Sequence, residues 1–294
     1  MKKLVFDIGA SAIKYALMDD AAKIYEKGKV PTPKEDLEHF LLALKSVYEQ
    51  YQNEIDGIAI SAPGTIDSEL GKIYAPGGIA YNENVNLVEQ MHTFTTLPIA
   101  LENDGKSAAL AETWKGNLQD CKDGVVLVLG TGIGGGIIKD KQLWKGSHLF
   151  AGEFSYVLYG EGNDFHDVWA MNGSTTALIM EVAKMKGLDM HQINGEEIFA
   201  LIEQKDEDAC QALRHLAHSV ARGMFNIQCM LDPEKILIGG GISQQPILCA
   251  YIQEALDALY KGIPFDIPKV QLDTCKFYND SNLIGALYNF LSRQ

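Results

Sequence analysis

Residues 130–136 read GTGIGGG, and backbone so poor in Cβ atoms forms either a tight turn or a close approach to a bound group. Gly130, Gly132 and Gly135 have the G-x-G-x-x-G spacing of a dinucleotide-binding fingerprint, which carries that meaning only where a strand ends and a helix begins. The residues that follow, IIKDKQLW, set two isoleucines side by side and then a turn at Asp140 and Lys141, which predicts a strand instead of a helix. Glu153 lies about twenty residues beyond the glycines, where an acidic ribose ligand would be sought, but it follows a hairpin and not a second parallel strand. A glycine turn between two strands can still bind phosphate, because consecutive backbone N–H groups converge on an anion.

The same theme occurs at the amino end. KKLVFDIGA, AIKYALMDD and AKIYEKGKV alternate apolar stretches with turn signals and predict a three-strand meander with a glycine turn at DIGAS. A helix is expected after Pro33, with Leu37, Phe40, Leu41, Leu44 and Val47 on one face. The strand GIAISAPG follows, and then LPIALEND runs straight into the helical GKSAALAETW with Asp104 at the junction. In the second half, GVVLVLGTGIGGGIIKDKQLWKG repeats the order strand, glycine turn, strand. Helices are expected over 174–187, 195–204 and 206–231, and KILIGGGIS is a strand ending in three glycines ahead of the helical PILCAYIQEALDALYKG. KVQLDTCKF and SNLIGALYNFLSRQ read as a late strand and a terminal helix. The repeat is one of organisation, not of letters. A chain of 294 residues is comfortable for two cores, so two domains are expected, with a compact hinge near Trp114 to Asp123.

Charge narrows the partners. A formal net charge of −14 with a pI near 4.9 repels polyphosphate and anionic lipid at long range, so neither nucleic acid nor a membrane is expected as a partner. MKKLVFDIG has too short an apolar run for a signal peptide or a membrane span, and a cytoplasmic setting is expected. Five widely spaced cysteines, Cys121, Cys210, Cys229, Cys249 and Cys275, form no C-x-x-C pair and suit reduced thiols. Asp104 at its strand–helix junction reads either as a helix N-cap or as a carboxylate placed to accept a proton.

Six segments in order, DIGASAIK, ISAPGTID, LENDGKSAALAE, LGTGIGGG, AGEFSY and ILIGGGIS, resemble the ROK family of bacterial sugar kinases and regulators over essentially the whole chain. The resemblance implies an α/β protein with the duplicated actin-like, ribonuclease-H-like fold, two domains with a cleft between them. It implies an N-terminal domain of residues 1–116 plus 281–294 and a C-terminal domain of residues 117–280. The implied activity is ATP- and magnesium-dependent phosphorylation of the 6-hydroxyl of a glucose-type hexose or β-glucoside, by a homodimer. Asp7 would orient magnesium through water, and Gly9 and Ser11 would line the phosphates. Lys14 would offset phosphate charge or point to solvent. Gly130, Thr131 and Gly132 would form the second phosphate loop, and Gly239, Gly240 and Gly241 would face adenosine. Asp104 would be the general base, Asn103 and Gly64 would touch the sugar, and Glu153 would accept bonds from hydroxyls near its anomeric end.

The chain also departs from the family. The usual D-I-G-G-T turn is here Asp7-Ile8-Gly9-Ala10-Ser11, and a Cβ at residue 10 is strained if that position needs positive φ. Lys106 stands two residues beyond Asp104 and either lowers its pKa or points to solvent, the second being expected. Tyr156 replaces a histidine that many members carry, and no cysteine lies between Cys121 and Cys210, so the family's structural zinc is not expected. His148 and His166 are a weak ligand set without thiolates, and His215 with His218 is read as a polar helix face. This pattern resembles the β-glucoside kinases. Sugar specificity is expected to lie in loops 76–87 and 156–173. The competing reading is a catalytically weak sugar sensor or regulator on the same fold, without a DNA-binding domain.

Overall fold

The computed structural model describes residues 1–160 and 165–294, which form two compact units. The first comprises Met1–Gly116, Leu143–Ala151 and Asp280–Gln294, and the second comprises Asn117–Gln142 and Gly152–Asn279.

In chain order the first unit holds β1 (Lys2–Ile8), β2 (Ala12–Met18), β3 (Ile24–Pro31), α1 (Leu37–Tyr51), β4 (Ile55–Ala62), β5 (Thr65–Asp67), β6 (Lys72–Ala75), β7 (Val85–Asn86), α2 (Leu87–Met91), β8 (Ile99–Asn103) and α3 (Asp104–Lys115). Its main sheet runs β3-β2-β1-β4-β8, with β1 antiparallel to β2 and parallel to β4. Leu4, Phe6, Ile58 and Ile60 in the central strands are fully buried with Phe40 and Leu44 of α1. The helix begins at Leu37, beyond Pro33, because Asp36 caps it by accepting from the backbone N–H of His39.

The second unit holds β9 (Gly124–Leu129), β10 (Ile133–Lys139), the first residue of β11 (Gln142–Trp144), α4 (Ala170–Gly173), α5 (Thr175–Lys186), α6 (Gly195–Glu203), α7 (Glu207–Leu231), β12 (Lys235–Gly239), α8 (Pro246–Lys261) and β13 (Leu272–Thr274), and α9 (Ser281–Leu291) ends the chain. Its sheet runs β11-β10-β9-β12-β13. Third, second, first, fourth, fifth is thus the strand order in both sheets, which is the duplication expected from the repeated theme. The glycine stretch lies in the hairpin of β9 and β10, where Ile133 pairs with Leu129, so a strand follows it and the dinucleotide fingerprint has no helix. Asp140 and Lys141 both take positive φ, 51° and 62°, as the next hairpin turn requires. Trp169 is buried between Phe154 and α7, where a Cβ on Gly223 would fall 2.0 Å from its ring.

Of the two expected specificity loops, 76–87 contains a 3₁₀ turn at Ala80–Asn82, and residues 161–164 of the other lie outside the described residues. All five cysteines are free thiols. Among the described residues no helix is long and apolar enough to cross a membrane.

Helix α9 packs on α3 within the first unit, and the contact is close enough to dictate a residue. A Cβ on Gly285 would stand 1.7 Å from the carbonyl oxygen of Ser107, while one turn further on the rings of Trp114 and Tyr288 stack at 5.2 Å. Gly285→Ala is expected to cost about 1–3 kcal/mol through forced separation of the two helices. A lowered urea midpoint with an unchanged m-value would show this, and an unchanged midpoint would refute the close contact.

Candidate functional site

Strand β8 passes into α3 without a connecting residue, and Asn103 makes the junction. Its backbone is extended (φ −64°, ψ 148°) and its Oδ1 accepts from the N–H of Lys106 at 3.1 Å. The N-cap considered for Asp104 is therefore Asn103. Asn103 Nδ2 donates to the Gly64 carbonyl and to Asp104 Oδ1, each at 3.0 Å, and Gly105 N–H donates to the same Asp104 oxygen at 2.8 Å. Asp104 is the first helical residue, where the helix dipole favours a carboxylate. Gly64 has φ +107°, and a Cβ there would meet the Ala75 carbonyl at 2.0 Å, so the turn after β4 requires glycine. Lys106 is 1% exposed. The solvent-facing reading of that side chain is wrong, because the first turn of α3 is covered on its side.

One side-chain group around this junction was not expected from the sequence. Glu102, 1% exposed, accepts from Lys145 Nζ at 3.0 Å on both oxygens, from Ser68 Oγ at 2.7 Å and from the N–H of Asn103 at 2.8 Å. Lys145 Nζ also donates to Ser68 Oγ at 2.6 Å. Glu102 sits inside the quoted motif, but Ser68 and Lys145 lie 34 and 43 residues away from it, and no local pattern links them.

The first glycine turn joins β1 to β2. Gly9 N–H donates to the Ala12 carbonyl at 3.0 Å, and Thr32 clamps the turn by donating Oγ1 to the Gly9 carbonyl at 2.6 Å and N–H to the Ser11 carbonyl at 3.2 Å. Ala10 is not among the residues with positive φ, so its Cβ carries none of the backbone strain considered for it. Asp7 and Lys14 are cross-strand partners. Lys14 Nζ lies 3.5 Å from Asp7 Oδ2 on a half-exposed side chain, and Asn282 Nδ2 donates to Asp7 Oδ1 at 2.9 Å. A carboxylate has about four acceptor sites, so these two contacts leave Asp7 able to accept from water on a magnesium ion, and the residue fits that role.

The second and third glycine turns meet at one cavity inside the second unit. Its volume is about 710 Å³, and Gly130, Thr131, Thr175, Asn194, Gly241 and Gln245 are among its lining residues. Thr175, at the start of α5, donates N–H to the Gly130 carbonyl and Oγ1 to the Leu129 carbonyl, both at 3.0 Å. A Cβ on Gly130 or Gly241 would meet nothing within 4 Å; these glycines open onto space that a nucleotide can fill. Gly240 has φ +92° and would strike the Leu129 carbonyl at 2.2 Å, and Gly239 is buried with its missing Cβ 3.0 Å from Cys275 Sγ. Of the last three glycines, then, Gly241 alone lines the cavity, Gly240 makes the turn and Gly239 packs within the sheet. Gly132 faces Ser155, whose Oγ accepts from Ile133 N–H at 2.9 Å.

Glu153 precedes the 3₁₀ turn Phe154–Tyr156 in the second unit, and Tyr156 is 55% exposed. His148, His166, His215 and His218 are all exposed, and His215 pairs with Glu181. Among the described residues no three His, Cys, Asp or Glu side chains group so as to hold a metal ion.

Comparison with known proteins places the chain in a family. The chain matches the ROK family over residues 4–293. It is 32% identical over 297 residues to a β-glucoside kinase of Listeria monocytogenes, covering 100% of this chain and 99% of that protein. It superposes with TM-score 0.90 on a ROK family protein of Streptococcus pneumoniae solved with sucrose, at 29% identity over 100% of this chain and 99% of that one. A ROK glucokinase of Streptomyces griseus, solved with glucose and AMPPNP, shares the fold at TM-score 0.84 and 23% identity, covering 98% of each chain.

The glycines make separable predictions. Gly130→Ala is expected to leave stability within about 0.5 kcal/mol while weakening binding of a non-hydrolysable ATP analogue in titration calorimetry. Gly240→Ala should instead destabilise by about 1 kcal/mol or more, since it strains a positive φ against a carbonyl. Equal losses of stability in both would contradict the open space at Gly130.

Proposed function

Because the chain belongs to the ROK family, we propose that it transfers the γ-phosphoryl group of ATP to the 6-hydroxyl of a glucose-type hexose or β-glucoside, with Asp104 as general base. Sugar phosphotransfer is the activity of its relatives over the full chain length, and this chain is such an enzyme. The observation that carries the finer reading is the Asn103–Asp104 junction. Two N–H donors fix Asp104 Oδ1, so the carboxylate is set before a hydroxyl arrives and need not reorganise to accept its proton.

Asn103 and Gly64 would contact the sugar beside the base, and Glu153 would accept from hydroxyls near the anomeric carbon. Each sugar hydroxyl left unpaired in a closed site costs about 1–3 kcal/mol, which is why a site of this kind needs several polar groups. The turns at Gly9–Ser11 and Gly130–Gly132 would hold the phosphates by backbone N–H groups, with Lys14 offsetting charge and Gly239–Gly241 shaping the adenosine end. Magnesium, when bound with the nucleotide, supplies neutralisation of the transferring phosphoryl charge, and Asp7 would keep it in place through water.

The β-glucoside class is favoured by two observations. The Listeria relative carries that name, and Tyr156 presents a largely exposed ring just after Glu153, against which an aglycone can lie. Five free thiols suit the reducing cytoplasm.

An ADP-release assay across hexoses and β-glucosides tests the reading. Turnover is expected with a glucose-type sugar, and Asp104→Asn should lower it by about 10²- to 10⁴-fold while the melting temperature holds. No turnover above background with any sugar, or full turnover in Asp104→Asn, would sink it.

A further inference from the structure

We propose that Lys145 is a positioning residue for the Asn103–Asp104 junction, acting through the buried carboxylate of Glu102. The catalytic meaning of this rests on Asp104 being the base; the physical coupling does not.

Glu102 is almost wholly removed from water, and a buried carboxylate persists only when paired and hydrogen-bonded. Lys145 meets both of its oxygens at 3.0 Å, from a side chain itself only 17% exposed. The carboxylate that Lys145 holds also accepts the N–H of Asn103. It thereby fixes the peptide from which the Asn103 side chain reaches Gly64, Lys106 and Asp104. Ser68 closes the arrangement, donating to Glu102 and accepting from Lys145, so the turn following β5 is tied to the end of β8. One ammonium group orders both backbone segments that flank the proposed sugar contacts.

Lys145 also sets charge. Glu102 and Asp104 are two carboxylates separated by one residue, and Lys145 supplies the cation bound to the first of them. Charged groups on the neighbouring segments include Lys106, buried in the first turn of α3, and Arg293, which donates to the Ser68 carbonyl at 2.9 Å and pairs with Glu69. Arg293 pairs with Glu69, and Lys145 pairs with Glu102. A residue that merely held Leu143–Ala151 in place within the first unit would affect stability without moving the Asn103 peptide or lowering kcat.

The test uses the full chain with Lys145→Met, Lys145→Arg, Glu102→Gln and the double variant Lys145→Met/Glu102→Gln. In protein labelled with ¹³C at the aspartate carboxyl carbons, the Asp104 resonance is identified by its loss in Asp104→Asn, and its titration is followed in each variant. Loss of the cation is expected to move the Asp104 midpoint to higher pH, and loss of the Glu102 charge to lower pH. In the ADP-release assay, Lys145→Met should lower kcat by about 10- to 100-fold with sugar KM within about threefold, and Lys145→Arg should recover most of it.

If Lys145→Met fails to fold, the pair of Glu102→Gln and the double variant carries the test: the Asn103 amide resonance should move in Glu102→Gln and move no further in the double variant, because Lys145 reaches that N–H through the Glu102 carboxylate. An Asp104 midpoint unmoved in Lys145→Met, or an Asn103 amide resonance that moves when Lys145→Met is added to Glu102→Gln, overturns the proposal. Absence of sugar turnover in the unaltered protein would overturn the function proposed above, yet the titration would still report on the coupling.

Discussion

Everything placed at the end of β8 depends on one side chain, Asn103. As the last strand residue it pairs with Ala62; as the cap of α3 it accepts from Lys106 N–H, and its amide reaches both Gly64 and Asp104. A strand and a helix that meet without a loop leave little slack, because the helix axis is then set by the strand direction. Asn103 satisfies a helix-end donor that would otherwise be orphaned, and with the same side chain orients the neighbouring carboxylate. Replacing it would remove a cap worth about 1 kcal/mol and loosen Asp104 in one step. Stability and site geometry therefore cannot be separated at this residue.

Much of this architecture was readable from the sequence because it is written locally. Hairpins declare themselves by branched residues on either side of a glycine turn, as at Gly9 and Gly130. Helices declare themselves by spacing and caps, and the expected 174–187, 195–204 and 206–231 appear as Thr175–Lys186, Gly195–Glu203 and Glu207–Leu231. The repeated order of strand, glycine turn and strand gave away the duplicated sheet because the order of elements survives where letters do not. Asp104 could be placed at a strand–helix junction, but which of two adjacent polar residues would cap the helix needed the backbone angles.

What was hidden is long-range. Lys106 looked solvated because a lysine two residues into a helix usually is, and only tertiary packing covers it. Glu102 looked like one more acidic residue, whereas its partners come from positions 68 and 145. Breaking such a buried pair by removing one member typically costs about 3–5 kcal/mol, so its influence far exceeds its signature in the sequence. Gly239 to Gly241 read as one feature, yet the three residues do three jobs. One fills space in the sheet beside Cys275, one takes a φ of +92°, and one borders the cavity. Identical letters in a row carry no information about which backbone position needs the missing Cβ.

The two glycine turns proposed to face phosphate share a device that no motif describes. Each is clamped by a threonine from a neighbouring element that uses both its hydroxyl and its N–H: Thr32 on the carbonyls of Gly9 and Ser11, and Thr175 on those of Leu129 and Gly130. In a planar trans peptide the carbonyl and the following N–H point in opposite directions. Drawing the Gly9 carbonyl toward Thr32 therefore turns the Ala10 N–H the other way, and drawing the Gly130 carbonyl toward Thr175 does the same for Thr131. The donors that an anion would meet are thus aimed by where the carbonyls are tied, not by which side chains the turn carries. That is why an alanine at position 10 is compatible with a phosphate turn. It keeps its N–H, its φ stays out of the positive region, and the threonine clamp that orients the peptide is unaffected by the added methyl group.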